Sequence, residues 1–282
     1  MKSQNTLEVM ARLGHGARGA VYCLVGGLAL LAAIGPGGQT GGSGSALRTL
    51  LGQPFGRVLL GLIALGFAFF ALWRFVEAVT DADRRGDGWK ALGVRGAHLV
   101  GGVIAVGLAV SALGLALGWG GGRSGDDRAL RDWTAWLMTQ PFGPWLVGLV
   151  GLGVVGAGIA FIAKGWRGKV TEHLVCSRDV ARWAVPAGRL GFGARGVVFL
   201  IIGGFLVVAA IQSRAAQAKG LGGALEALQA QPFGWILLAI TAAGLFAFGV
   251  FGFVEAFYRR IDAPDFDDAK DAVTDGLRNL GS

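Results

Sequence analysis

The sequence predicts an all-α membrane protein with six transmembrane helices, arranged as three parallel two-helix repeats with pseudo-threefold symmetry and short outer interfacial helices. The first observation is the composition: 53% of the 282 residues are hydrophobic and 16% are charged, whereas soluble proteins carry about 25% charged residues. The second is the motif Gln-Pro-Phe-Gly, which occurs three times. Such internal repetition predicts an architecture built from one repeated unit.

Six long apolar runs predict the spans, because a helix needs about 20 apolar residues to cross a bilayer. The first run is not interpreted as a signal peptide, since its opening Gly-Ala-Arg-Gly recurs at 193–196. Nine tryptophans near the predicted helix ends, Trp73 among them, predict an aromatic belt at the two interfaces. The runs cover about 17–35, 58–76, 96–117, 145–163, 196–211 and 235–257, and the fifth is slightly short.

Two motifs delimit the repeats, which we place at 11–80, 88–170 and 186–260 within one membrane domain, 1–262. Gly-x-Arg-Gly opens the first span of each repeat, and Gln-Pro-Phe-Gly precedes the second. With two spans per repeat, every repeat enters the membrane with the same polarity, so the repeats are parallel. Residues 263–282 are rich in Asp and are predicted to form an acidic cytoplasmic tail with a short amphipathic helix.

Gln-Pro-Phe-Gly is interpreted as a structural corner between an outer helix and the next span. Leucines three residues apart precede it and predict a short interfacial helix. Pro suits the first turn of the following span, Phe suits headgroup depth, and Gln is expected to cap backbone groups at the corner. A ligand-binding role is the alternative. The corner residues are Gln53, Pro54, Phe55 and Gly56, then Gln140, Pro141, Phe142 and Gly143, and finally Gln231, Pro232, Phe233 and Gly234.

The orientation follows from the distribution of Lys and Arg. An even number of spans places both termini on one side, where 19 of the 26 basic residues lie, against 7 on the other. By the positive-inside rule that side is cytoplasmic, which predicts a multi-pass protein of the bacterial inner membrane. We expect membrane lipids as partners, with anionic headgroups on the cytoplasmic side. Nucleic acid is not expected, because no stacking platform or recognition helix accompanies the charge.

Six charged positions near the cytoplasmic boundary of the hydrocarbon are the candidate functional residues. Ionisable groups at this depth face the protein interior and pair, so we interpret them as inter-helix clamps and topology anchors. The alternative is an inner gate or an anion-coordinating ring. Lys164 stands where the other repeats have a carboxylate, so repeat two must be paired differently. The belt comprises Arg18, Arg95 and Arg195, in the first turns of the odd-numbered spans, and Glu77, Lys164 and Glu255, each 23 residues after a corner proline.

No catalytic or metal-binding pattern stands out. His15, His98 and His173 are not repeated in register, and no Ser-His-Asp, Cys-His or carboxylate pair recurs at usable spacing. His98 is interpreted as a hydrogen-bonded packing residue, with a proton relay as the alternative. Glycine-rich segments at 37–44 and 120–125 lack a preceding strand or a Walker lysine and are interpreted as linkers. We therefore expect no enzymatic activity, no cofactor and no metal.

The repeats resemble the bacterial domain of unknown function 1206 family, whose members carry about three copies of a two-helix membrane unit. The resemblance rests on Gly-x-Arg-Gly and Gln-Pro-Phe-Gly and covers roughly 11–260. It implies an integral membrane protein of the bacterial inner membrane and brings no activity, cofactor or catalytic residue. Mitochondrial carriers are similar in architecture, but their Pro-x-Asp/Glu-x-x-Lys/Arg motif is missing from the ends of the odd-numbered spans.

These features predict a non-enzymatic helical scaffold or a component of a membrane assembly. A second copy of the chain or another membrane protein would then be its partner. The alternative is a transporter or channel for a small solute or ion, which would run along the pseudo-threefold axis and be gated by the charge belt. A hydrated, polar mid-membrane cavity would favour this alternative, whereas a dry, glycine-packed axis would favour the scaffold.

Overall fold

A computed structural model of the chain describes residues 2–35, 40–80, 89–119, 126–168 and 178–258. These residues form nine α-helices and one short 3₁₀ helix, Ala215–Gln217. The predicted acidic tail, 263–282, lies outside the described residues, as do His173 and much of the glycine-rich segments. The helices are α1 (Lys2–Ile34), α2 (Ser43–Leu51), α3 (Gly56–Thr80), α4 (Trp89–Leu117), α5 (Asp126–Met138), α6 (Gly143–Trp166), α7 (Arg178–Gln212), α8 (Leu221–Gln229) and α9 (Gly234–Tyr258).

Six of these helices, α1, α3, α4, α6, α7 and α9, are long and apolar enough to cross a membrane. They coincide with the six predicted runs, so the all-α fold with six apolar helices is confirmed. The fifth run looked short because it was counted only from 196, whereas α7 begins at Arg178 and continues through Pro186. Its first turns carry charged residues that an apolar count excludes.

The spans pack side by side in the order α4, α3, α1, α9, α7, α6. A closed ring of six helices would need one more contact, between α4 and α6. The backbones of these two helices do not pack closely in the described part of the chain. The tightest pairs join different repeats: α1 with α9, α3 with α4, and α6 with α7. The pseudo-threefold arrangement stays a prediction.

Small residues explain how closely these helices approach. A Cβ atom added at Gly19 of α1 would lie 2.8 Å from the carbonyl oxygen of Gly249 in α9, and one at Gly158 of α6 would lie 2.9 Å from that of Gly196 in α7. Lipid tails are as apolar as the helices, so contact between backbones and packed side chains holds the spans together. The small residues recur every seven positions along each second span: Ala64, Ala71 and Ala78 in α3, Gly151, Gly158 and Gly165 in α6, and Ala242, Gly249 and Ala256 in α9.

The corner motif forms the same turn in all three repeats. The backbone N–H of each corner Gly donates to the carbonyl of the corner Gln, at 2.9, 2.9 and 2.8 Å, and Phe55, Phe142 and Phe233 have φ values of 59°, 61° and 59°. Pro at the second position and a positive φ at the third are features of a type II turn. Each span begins at the corner Gly, so Pro lies in the turn before the helix and not in its first helical turn, where it was expected.

The fourth corner position requires glycine because the chain folds back onto the outer helix. A Cβ atom added at Gly143 would lie 2.6 Å from the carbonyl oxygen of Leu137. The side-chain amides of Gln140 and Gln231 donate to the carbonyls of Trp136 and Ala227, at 3.5 and 3.3 Å. These two glutamines therefore cap the C-terminal ends of α5 and α8.

The outer helices of repeats two and three are joined by a carboxylate. Asp127, at the start of α5, accepts hydrogen bonds from the backbone N–H groups of Gly220 and Gly223, at 2.5 and 3.1 Å. These groups lie at the N-terminal end of α8, whose N–H groups have no partner within their own helix. Asp127 thus supplies an N-cap from a different repeat.

One tryptophan departs from the predicted aromatic belt. Trp73 is buried at 4% exposure, whereas Trp145 and Trp166 are exposed at 80% and 82%. The equivalent position in repeat three, 19 residues after the corner proline, is the fully buried Phe251. Trp73 therefore fills a core position of its repeat, and its place near a helix end is coincidental.

Substituting Gly249 with Ala tests the close approach of α1 and α9. The new methyl group would meet backbone atoms of Gly19 and Cys23, so we expect the free energy of unfolding in mixed micelles to fall by about 1–3 kcal/mol. Gly61→Ala is the matched control, because its Cβ would meet no atom within 4 Å and helix propensity favours Ala. Equal losses in the two variants would contradict the packing argument.

Substituting Asp127 with Ala removes the N-cap of α8. We expect a loss of about 1 kcal/mol in the free energy of unfolding and faster amide hydrogen exchange at Gly220 and Gly223. Asp132→Ala, an exposed position on the same helix, should leave both measurements unchanged. Unaltered exchange in the Asp127 variant would show that α8 does not depend on this cap.

Candidate functional site

Two of the three predicted belt arginines lie close to the same aromatic ring. The Cζ atoms of Arg18 in α1 and Arg195 in α7 are 5.2 and 4.9 Å from the ring centroid of Phe248 in α9. The close approach of α1 to α9 at Gly19, and of α7 to α9 at Gly191, brings both arginines near α9. We call Arg18, Arg195, Phe248 and Glu255 the arginine cluster.

Arg18 forms the ion pair that the sequence analysis interpreted as an inter-helix clamp. Its Nη2 atom donates to Oε2 of Glu255 at 2.5 Å, with 10% and 13% of the two side chains exposed. The guanidinium also lies 5.3 Å from the ring centroid of Phe70. Because α1 and α9 belong to repeats one and three, this pair connects the first and last repeats.

Arg95, at the equivalent position of repeat two, has another role. Its side chain donates to the carbonyls of Ala78 and Val79, at 2.7 and 3.2 Å, and so caps the C-terminal end of α3. A cation is favourable there because the last carbonyls of a helix lack partners and carry negative partial charge. The structure therefore does not bring Arg95 into the arginine cluster.

Arg12 and Arg189 cap the other two second spans in the same way. Arg12 donates to the carbonyl of Phe257 at 3.3 Å, and Arg189 donates to that of Gly165 at 3.2 Å. Neither residue was predicted from the sequence, although both begin a longer motif, Arg-Leu-Gly-x-Gly-Ala-Arg-Gly, which occurs at 12–19 and 189–196. Repeat two has Trp89 at the corresponding position, so Arg95 supplies the cap there.

Glu77 interacts with residues other than Arg95. Its Oε2 atom accepts from Arg74 at 3.0 Å and lies 3.8 Å from Nδ1 of His98. Glu77 is buried at 5% exposure, so a positive partner is needed to keep its charge inside the bundle. The predicted alternating belt is therefore divided into separate groups: an ion pair, a helix cap and the neighbourhood of Glu77.

Repeat two lacks a carboxylate at the position of Glu255, and Arg195 is surrounded by aromatic rings instead. Lys164 places its Nζ atom 4.5 Å from the ring centroid of Phe192. In the described part of the chain no carboxylate pairs with Arg195, and its buried Nε has no hydrogen-bond partner. The cage rings are those of Tyr22, Phe161, Phe199 and Phe248, at 5.4, 4.7, 5.2 and 4.9 Å from Cζ.

The chemistry available at the cluster is recognition of charge. Four rings stabilise the Arg195 cation through their negative faces, while its in-plane N–H groups remain donors. Among the described residues, no group of three His, Cys, Asp or Glu side chains could hold a metal ion. The candidate site is thus a cationic centre in which Arg18 is buried and Arg195 is partly buried.

Six apolar spans joined by close backbone approaches and interior ion pairs define a multi-pass α-helical membrane protein with an internal repeat. The model of the family described as Domain of Unknown Function (DUF1206) matches residues 13–81, 97–168 and 190–259. The chain belongs to this family, as its motifs predicted. It is also similar to uncharacterized protein YxxB of Bacillus subtilis (strain 168), with 31% identity over 264 residues, 90% of this chain and 92% of that protein. No solved structure matches the chain.

Substituting Glu255 with Gln tests the clamp between the first and last repeats. The change leaves Arg18 charged and largely buried, so we expect the free energy of unfolding to fall by about 3–5 kcal/mol. Glu226→Gln, at an exposed position of α8, should change it by less than about 0.5 kcal/mol. If Glu255→Gln is as stable as Glu226→Gln, the clamp does not hold the repeats together.

Proposed function

We propose that the protein is a non-enzymatic helical scaffold of the bacterial inner membrane, and that its α4–α6 side binds a membrane-spanning helix of a partner protein. The observation that carries this proposal is the break in the helix order. All other neighbouring spans pack closely, whereas α4 and α6 do not pack closely on each other in the described residues. An additional helix at this break would complete the ring.

The exposure of the two helices supports this proposal. In the most apolar 18-residue segment of each span, only 17% is buried inside the protein in α4 and α6. The corresponding shares are 39%, 44%, 33% and 50% in α1, α3, α7 and α9. Large apolar side chains on both helices, including Val103 and Leu152, are more than half exposed. A partner helix would bury these side chains and complete the bundle.

Open glycines on both α4 and α6 would allow another helix to approach closely. A Cβ atom added at Gly107 or Gly114 of α4, or at Gly153 or Gly156 of α6, would meet no atom within 4 Å. Glycine inside a helix costs about 1 kcal/mol relative to Ala, and small residues are characteristic of helix–helix contacts in membranes. A partner that approaches at these positions accounts for them.

The interior favours the scaffold over the transporter. The largest fully buried side chains are mostly apolar, among them Phe248, Phe251 and Leu245. Among the described residues, the buried polar side chains of the spans are His15, Arg18 and Glu77, towards the end that carries the arginine caps, and Thr241 further along α9. A solute pathway needs polar groups around a hydrated cavity at mid-membrane, and an interior of this kind offers few.

The orientation is part of the proposal. Positive charge concentrated on the side of both termini supports a cytoplasmic location for that side, facing anionic headgroups. The arginine caps lie at the same end of the bundle, on α3, α6 and α9. Their charges would then fall at the cytoplasmic boundary of the hydrocarbon, where long basic side chains reach the headgroups.

Bulky substitutions on the α4–α6 side test the scaffold. We expect Gly107→Leu and Gly156→Leu to reduce the fraction of the protein found in a complex by about tenfold or more, since each side chain would prevent backbone approach. The measurement is the particle mass on native gels after mild solubilisation of native membranes. Two differently tagged copies in one cell distinguish a second copy of this chain from a different partner.

Gly61→Leu is the matched control, because Gly61 is equally open but lies on α3, which packs between α4 and α1. It should leave the particle mass unchanged. A wild-type chain that migrates as a monomer from native membranes would disprove the scaffold proposal. So would a Gly61 variant that loses the complex to the same extent.

A further inference from the structure

We propose that Arg195 binds an oxyanion, a phosphate or carboxylate group, at the end of the bundle that carries the arginine cluster. The comparison between repeats is the first step. Arg18 has the carboxylate of Glu255 at hydrogen-bond distance. The corresponding position on α6, the span that packs most closely on α7, is Lys164. The repeat therefore keeps the arginine and replaces its anionic partner with a cation.

The second step concerns the hydrogen-bond donors of Arg195. A guanidinium has five N–H groups in one plane, and aromatic rings stabilise its charge mainly through their faces. In the described part of the chain no group accepts a hydrogen bond from Arg195, and its Nε is buried without a partner. Because Nε of Arg18 is also buried without an acceptor, the two arginines differ at their Nη groups. Arg18 donates from Nη2 to Glu255, and an external oxyanion at Arg195 would accept the equivalent charge-assisted hydrogen bond.

The third step is the local balance of charge. Arg18 and Arg195 both lie near the ring of Phe248, and among the described residues one carboxylate, that of Glu255, pairs with one of them, Arg18. In a medium of low dielectric this excess attracts an anion strongly.

The chemistry of the guanidinium selects the class of ligand. Its planar fork matches the two oxygens of a carboxylate or phosphate, and bidentate pairs of this kind are the strongest charge-assisted hydrogen bonds. Phe161 of the cage lies five residues before the end of α6 at Trp166, or about 8 Å along the helix. That depth is within reach of a lipid headgroup phosphate and of a free anion from the aqueous side.

The test uses the full chain in phosphatidylcholine nanodiscs. One arm titrates inorganic phosphate at constant ionic strength, with chloride as the balancing ion, and follows the midpoint of thermal unfolding. The other arm adds phosphatidylglycerol to the nanodiscs and counts the lipids retained by native mass spectrometry. A ligand that binds only the folded state raises the midpoint by mass action.

We expect the wild type to respond in at least one arm, by a higher unfolding midpoint with phosphate or by retention of phosphatidylglycerol. Arg195→Gln should weaken the apparent affinity by at least about tenfold. Lys164→Glu should raise the midpoint without added anion and remove the anion-dependent rise, because it supplies the missing carboxylate inside the protein. Arg57→Gln, at an exposed position, is the control and should behave as wild type.

The outcomes separate the sources of the ligand and decide the proposal. A response to phosphate alone identifies a free anion, and a response to phosphatidylglycerol alone identifies a lipid headgroup. If Arg195→Gln does not fold, Lys164→Glu still decides, since it leaves the arginine and its cage in place. The proposal is overturned if the wild type responds in neither arm. It is also overturned if both variants respond as strongly as the wild type, because the aromatic cage would then be sufficient for Arg195.

Discussion

The bundle depends on the close approach of helix backbones at small residues. In lipid, apolar surfaces gain little by leaving the solvent for one another, so spans are held by packing at short range and by polar groups that find partners. The arginine caps follow from this approach. A Cβ atom at Gly165 would lie 2.9 Å from the backbone oxygen of Arg189, so the two helices are near enough for the Arg189 side chain to reach the carbonyls that end α6.

The three repeats share a framework and differ in how they use it. The seven-residue spacing of small residues, the corner turn and an arginine cap occur in all three. The charged positions have diverged: repeat three supplies a carboxylate to Arg18, repeat one supplies Glu77 to Arg74, and repeat two supplies Lys164. Duplication thus conserved the contacts that hold the backbone and left the interior charges free to change.

Much of the fold could be predicted from the sequence. Run length and composition predicted six spans, and three copies of one motif predicted the repeats. The conformation of the corner was harder to predict from the sequence, because a positive φ at Phe is unusual. Pro is also common both in type II turns and in first helical turns. The motif was correctly predicted to form a corner, but its proline lies in the turn before the span and not in the first helical turn.

The sequence predicted the charged residues of the candidate site but not which of them interact with each other. The Gly-x-Arg-Gly motif and the distance from the corner prolines predicted six charges at one depth, and depth alone cannot tell which carboxylate meets which arginine. That choice depends on helix rotation and on neighbouring side chains: Trp89 stands where Arg12 and Arg189 provide caps, so Arg95 is drawn to the end of α3. The aromatic cage was also beyond prediction, because its rings come from α1, α6, α7 and α9.

The helix order also has a mechanical consequence. Repeat two is divided, with α4 against repeat one and α6 against repeat three, and the outer helices follow the same division: α2 packs on α1, α3 and α4, while α5 packs on α6 and α8 packs on α7 and α9. The close contact between α1 and α9 therefore joins one half of the bundle, α1 to α4, to the other, α5 to α9. Loss of the Arg18–Glu255 pair would weaken this joint and leave the packing within each half unchanged.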